Sequence, residues 1–237
     1  MRIAGLSATT LSGWGQPHDA LSSIAPTALH IDYARHTSAQ AALLDIAAHA
    51  KGHDVVIGWS LGGQLAVRAI ASGLIKPRAL VLIATPFQFV AKADSKFGQK
   101  FGMPADLYAK FRDNYVSNPS KTLHMAQASI LRGDERVSAV RAHLDQQDKQ
   151  AIQSKDWLNW LDILEGFDCA GLSLAEFPPT LLIHGDKDAV VFHEQSERFA
   201  TAIPHARLVT LTGCGHAPHW HDDARVREEI AQELAHV

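Results

Sequence analysis

The chain has 237 residues, 46% of them hydrophobic and 20% charged, with a formal net charge of -3. That is enough apolar material to bury a full core in one globular domain, and it excludes a disordered protein. The near-neutral balance gives no bulk attraction to nucleic acid or to an anionic membrane, so neither is expected as a partner.

At the N-terminus, Arg2 and IAGLSATTLSG are too short and too broken by Ser and Thr for a secretory signal, and no apolar run reaches membrane-span length. Only Cys169 and Cys214 are present, so a disulfide framework is not expected and a cytoplasmic, reducing setting is. The first strand-like stretch is a weak one at 28–32. VVIG at 55–58 is a stronger one, followed by LGGQLAVRAIASGL, which sets Leu61, Leu65, Ala66, Ala69 and Ile70 on one helical face and stops at Gly73 with Pro77 beyond. ALVLIAT at 79–85 is the next strand.

From 87 to 177 strand signals vanish, while KFRDNYV, TLHMAQASIL, VSAVRAHLDQQ and DWLNWLDIL carry helical spacing. Strands resume with TLLIHG at 180–185 and ARLVTL at 206–211, and FHEQSERFATAI and DARVREEIAQELAHV read as helices. Strands alternating with helices predict an α/β fold, a mostly parallel sheet flanked by helices. Its core comprises 1–86 and 178–237, with 87–177 as a helical cap insertion. Because the insertion follows the 79–85 strand, it should hang over the strand ends where open α/β sheets bind ligands.

Gly58-Trp59-Ser60-Leu61-Gly62 is G-x-S-x-G set between a predicted strand and a predicted helix. A sharp turn there lifts a serine hydroxyl clear of the sheet, and the flanking glycines let strand and helix approach closely. The plain alternative is a glycine-rich surface turn with an idle serine. A phosphate-binding loop is disfavoured, since neither G-x-G-x-x-G nor G-K-[ST] is present. A nucleophilic serine needs an adjacent base oriented by a carboxylate. Asp186 and Asp188 follow the TLLIHG strand, and His216 sits in a glycine-rich loop after ARLVTL, so both partners are available; either Asp has a surface or capping role as its alternative.

These segments together resemble the α/β-hydrolase superfamily over nearly the whole chain: SGWG for the oxyanion loop, GWSLGG for the nucleophile elbow, GDKDAVV for the acid loop and GCGHAPH for the histidine loop. The resemblance implies an α/β-hydrolase fold, Ser60 as nucleophile, His216 as base and Asp188, three residues after Gly185, as acid in preference to Asp186. It further implies an oxyanion hole from the backbone N–H groups of Leu61 and Trp14, with no metal or organic cofactor. Trp14 and Trp59 are candidate substrate-contacting walls, with simple packing as their alternative. Cys214 reads as small filler.

Within the superfamily, SGWG, GWSLGG and GHAPH together are most similar to the pimeloyl-[acyl-carrier protein] methyl ester esterases of biotin synthesis. That similarity implies a small or carrier-linked ester as substrate, and an acyl carrier protein as possible partner. The basic residues Lys92, Lys96, Lys100, Lys110 and Arg112, with Lys121, Arg132, Arg136 and Arg141, are candidates for a carrier-docking face, although acidic residues nearly balance basic ones across the insertion. Two departures stand out: Ser12 holds the position usually taken by His, and the chain starts almost at the oxyanion loop, so no N-terminal strand hairpin is expected. Other readings are a broad short-chain carboxylesterase or thioesterase, a non-catalytic binder on the same fold, and a metal-dependent hydrolase using the His216, His219, His221, Asp222 and Asp223 cluster. The last leaves the Ser60 elbow unexplained.

Overall fold

The structure is a computed structural model that describes residues 5–92, 101–235 and 237. Six strands are described: β1 (Ala8–Leu11), β2 (Leu29–His30), β3 (Val55–Trp59), β4 (Ala79–Ile83), β5 (Thr180–Gly185) and β6 (Ala206–Leu211). All pair in parallel in the order β2-β1-β3-β4-β5-β6. Among the described residues ten α-helices accompany them: α1 (Ala39–Ala50), α2 (Leu61–Ala71), α3 (Ala105–Ser117), α4 (Pro119–Ile130), α5 (Val137–Asp145), α6 (Lys149–Gln153), α7 (Trp157–Glu165), α8 (Glu194–Ala202), α9 (Pro218–His221) and α10 (Asp223–Leu234).

Continuous apolar runs make the central strands, because a parallel sheet is covered on both faces. Along β3, β4 and β5 successive side chains alternate between two cores. Val56, Leu80 and Leu182 join α1, α2 and Phe199 of α8 on one face, whereas Val55, Ile57, Val81 and Ile183 join Val226, Ile230 and Leu234 of α10 on the other. The strand order reverses between β1 and β3, which places the turns after Leu11 and after Trp59 side by side at the carboxyl edge. This is the position where doubly wound sheets open a crevice.

Strand β1 was not anticipated from the sequence. Its Thr9 and Thr10 are fully buried and lack the apolar run of the other strands, but their hydroxyls pair with His53 and His30, each at 2.5 Å. Helices α1 and α6 were also unanticipated. Between β4 and β5 the described chain is helical, α3 to α7, as the spacing in that region predicts; only isolated bridges, Gln88 to Asp168 and Val90 to Met103, interrupt it.

The approach of α2 to the sheet depends on glycine. A Cβ on Gly62 would lie 2.1 Å from the Leu11 carbonyl oxygen and 2.5 Å from that of Ser12, so the helix and the loop after β1 meet backbone to backbone. Gly62→Ala is therefore expected to destabilise the protein by at least about 2 kcal/mol despite the better helix propensity of Ala, because backbone atoms cannot step aside. Gly171→Ala, where a Cβ meets nothing within 4 Å, should stay within about 0.5 kcal/mol. Urea unfolding of the two variants compares them directly.

Candidate active site

Ser60 sits between β3 and α2 with φ 53° and ψ -119°, a conformation rarely adopted by residues other than glycine. Both sides hold it there. Its N–H donates to the Ile83 carbonyl at 2.9 Å, extending the ladder with β4, while its own carbonyl accepts the Gln64 N–H at 3.2 Å to begin the helix. Strand and helix cross at Gly58 and Gly63, where a Cβ on Gly58 would come within 2.4 Å of the Gly63 Cα.

His216 lies in the loop after β6 and Asp188 in the loop after β5; both are buried, and the His216 Nδ1 meets Asp188 Oδ2 at 2.8 Å. The other carboxylate oxygen, Oδ1, accepts the backbone N–H groups of Val190 and Val191 at 2.8 and 2.9 Å. Asp186, the alternative acid, instead accepts the Gly213 N–H at 2.7 Å and steadies the histidine loop. Ser60 and His216 open into one cavity of about 320 Å³, with Gly13, Trp14 and Gln16 on one side and apolar side chains such as Phe89, Phe111 and Leu161 on the other. A second cavity, about 540 Å³ and more polar, meets the first only at Gln16 and reaches neither Ser60 nor His216.

The structure brings the remaining candidates to the same place. Leu61 follows Ser60 at the first turn of α2, whose Gly62 packs under the Leu11 to Ser12 backbone, and the Gly13-Trp14-Gly15 turn continues from there. Trp14 faces the cavity, with its indole N–H donating to the Trp157 carbonyl at 2.9 Å and its ring edge-on to Phe111 and Tyr115. Trp59 is 1% exposed and its indole N–H donates to the His216 carbonyl at 2.9 Å, so it braces the histidine loop as well as lining the cavity.

Three supporting residues were not singled out by sequence reasoning. Tyr33 donates its hydroxyl to the Ser12 and Gly13 carbonyls at 2.9 and 3.1 Å, bracing the Ser12-Gly13-Trp14 turn from below. Asp134, between α4 and α5, accepts the Gly215 N–H and the His221 Nδ1–H, both at 2.8 Å, tying the helical segment to the histidine loop. His184, fully buried on β5, contacts Asp188. A lone polar residue inside the apolar TLLIHG run was the one available signal for it.

The histidine and carboxylate cluster at 216–223 is split in the fold. His216 faces Asp188, His221 faces Asp134, and His219 packs edge-on to Trp59 at 4.5 Å between ring centroids. Asp134, Cys214 and His221 do place one ligand atom each within 4.8 Å of one another. The Asp134 carboxylate, however, already accepts three N–H groups, from Arg136, His221 and Gly215, which takes up three of its roughly four lone-pair positions.

Burial by itself would raise the Asp188 pKa, but the neighbouring His216 and His184 imidazoles override it and hold the carboxyl well below the usual carboxylate range. Burial pushes His219 far down and Cys214 far up, so neither changes charge near neutrality. The sign follows. A carboxyl with a depressed pKa is ionised throughout the range in which an imidazole titrates, so only one proton should control the acid limb. The logarithm of kcat/KM is expected to fall below the histidine ionisation with a slope of about one, not two; a pH profile with a small ester measures it.

An open parallel sheet with a strained serine, a buried histidine–aspartate pair and an apolar cavity at the switch point defines a class. The sequence matches the alpha/beta hydrolase family over residues 5–229, and the chain belongs to that family. Among curated proteins it is similar to the pimeloyl-[acyl-carrier protein] methyl ester esterase of Aromatoleum aromaticum, 31% identical with 75% of this chain and 74% of that one covered. The enzyme of the same name from Nitrosomonas europaea is also 31% identical, with 73% and 68% covered. In fold it is similar to a bromoperoxidase from Bacillus anthracis, with a TM-score of 0.78 at 17% identity over 97% of this chain and 92% of that one. Among the described residues no helix is long and apolar enough to cross a membrane.

Proposed function

We propose that the protein is a serine esterase that removes the methyl group from a carrier-linked pimeloyl methyl ester, as the names of its relatives indicate for them. The observation that carries the serine mechanism is the strained Ser60 opening into the same cavity as a His216 already paired to Asp188. Ser60 Oγ attacks the ester carbonyl as His216 takes its proton, and the backbone N–H groups of Leu61 and Trp14 hold the oxyanion. The protonated histidine then gives its proton to the departing methoxide, releasing methanol. Water, deprotonated by His216, attacks the acyl-enzyme, and the proton returns to Ser60 as the carboxylate leaves. Asp188 keeps the imidazole Nδ1 protonated throughout, and no cofactor takes part.

The cavity supports an acyl substrate. Its volume is at the small end of the usual ligand range of about 300–1,000 Å³, and Leu107 and Phe192 stand exposed on its lining. Arg132, also on the lining, is exposed. An apolar lip beside a cation suits a chain delivered by an acidic carrier protein. The docking face is narrower than the basic residues of the sequence suggested. Lys92, Arg112 and Arg136 are ion-paired to Asp168, Asp162 and Asp222, and Lys96 and Lys100 lie outside the described residues. Lys110, Lys121, Arg132 and Arg141 are the exposed cations that remain. The segment 87–177 acts in this reading as a cap domain, and two buried, unpaired cysteines suit the cytoplasm.

A fluorophosphonate probe should label the wild-type protein at Ser60, and a chelator should leave turnover unchanged. Arg141→Glu should raise KM for the carrier-borne methyl ester by about tenfold at low salt, the effect fading as salt rises, while p-nitrophenyl esters are hydrolysed as before. Equal loss on both substrates would point to a broad short-chain carboxylesterase; cleavage of the thioester instead of the methyl ester would point to a thioesterase.

A further inference from the structure

Asp188 has a second histidine. His184, at the end of β5, is completely buried. Its Nε2 lies 3.1 Å from the same Asp188 Oδ2 that meets His216, and 2.8 Å from the Val191 carbonyl. A carboxylate and a carbonyl only accept, so Nε2 carries a hydrogen, donated to the Val191 carbonyl with the Asp188 carboxylate beside it. Nδ1 meets the Ser196 hydroxyl of α8 at 2.6 Å, which fixes the ring from its other side. The acid loop therefore folds around this imidazole: Asp188 touches it by side chain and Val191 by main chain, while the Val190 and Val191 N–H groups return to the carboxylate.

We propose that His184 is a positioning residue for the hydrolytic reaction, holding the Asp188 carboxylate at the angle His216 requires and itself held by Ser196. The proposal rests on the reading of Asp188 and His216 as acid and base. Three N–H groups donate to Asp188, from its own loop and from His216, and His184 alone approaches the carboxylate from the sheet. Without it, Oδ2 would keep only the imidazole of His216 as a partner, and the carboxylate would be free to turn about its remaining backbone bonds. Small misplacement of a catalytic group costs turnover more than binding. His184 does not itself line the cavity, so its removal should leave KM nearly unchanged.

The experiment compares His184→Leu, His184→Gln and Ser196→Ala in the purified enzyme, using p-nitrophenyl ester kinetics and the rate of fluorophosphonate labelling at Ser60. His184→Leu is expected to lower kcat and the labelling rate by about 100-fold with KM within about twofold. Gln carries an amide N–H where Nε2 stood, and should restore kcat to within about fivefold of wild type. Ser196→Ala, which alters only the far side of the ring, should lower kcat by about tenfold; it keeps the test alive if His184→Leu does not fold. Equal losses in Leu and Gln, a loss carried by KM, or a Ser196→Ala enzyme with wild-type kcat would each overturn the proposal. If wild type itself does not label at Ser60, the serine mechanism fails first; if it labels and the variants match it, only the positioning role fails.

Discussion

Ser60→Ala and His216→Ala are each expected to lower ester kcat by about five decades, about 7 kcal/mol of transition-state stabilisation, with the double variant little worse than either alone. The two side chains share one cavity, and a serine hydroxyl is a weak nucleophile unless a base accepts its proton in the same step. Ser60→Ala leaves the sheet hydrogen bonds intact and its unfolding transition should move little, whereas His216→Ala strips a partner from the buried Asp188 carboxylate and should unfold at lower urea. Backbone strain adds a second, independent readout. At φ 53° and ψ -119° a residue with a Cβ carries strain of about 1–3 kcal/mol, part of which glycine relieves. Ser60→Gly should therefore be as inactive as Ser60→Ala yet unfold at a higher urea concentration. If alanine and glycine variants unfold together, the turn is not strained; if either retains turnover, Ser60 is not the nucleophile.

The second large effect separates two neighbouring carboxylates. Asp188→Asn should cost about four decades in kcat, whereas Asp186→Asn should stay within about tenfold. In Asp188→Asn the amide oxygen can still accept from Val190 and Val191, which turns the NH2 group toward His216 and His184. Facing a donor, His216 shifts its hydrogen to Nε2, the nitrogen that must accept the Ser60 proton, and the base is blocked. Asp186 makes a different contact, accepting the Gly213 N–H, and an asparagine carbonyl can accept that bond equally well. A crippling Asp186→Asn with a mild Asp188→Asn would reverse the assignment. Steady-state kinetics and near-ultraviolet circular dichroism, to confirm that both variants keep native packing, decide between them.

The sequence by itself determined those parts of the protein whose signal is local. The strands VVIG, ALVLIAT and TLLIHG are apolar because a parallel sheet is buried on both faces, and that burial is written into each segment without reference to any other, whereas the edge strand ARLVTL is only half-buried and was legible by its length and β-branched content. The elbow at Ser60 was legible for a related reason: strand, G-x-S-x-G and helix follow one another within about 20 residues, so one stretch of chain contains the whole steric argument. Helices α3, α4, α5 and α7 announced themselves by period, whereas the single short turn of α6 did not.

Only the tertiary structure decided what depends on partners distant in the chain. Strand β1 is hidden in the sequence because Thr9 and Thr10 look polar until His53 and His30 are brought beside them. The turn at Ser12 is supported by Tyr33, 21 residues away, and Asp134 reaches Gly215 across 81 residues. The cations of the insertion looked alike in sequence; folding gave Arg136 to Asp222 and Arg112 to Asp162, leaving Arg132 and Arg141 exposed. The same holds for His184, a polar letter in an apolar strand whose meaning comes from Asp188 and Ser196 closing around it. Burial pattern is a property of a segment, whereas a buried hydrogen bond needs two groups and its energy depends on both being present.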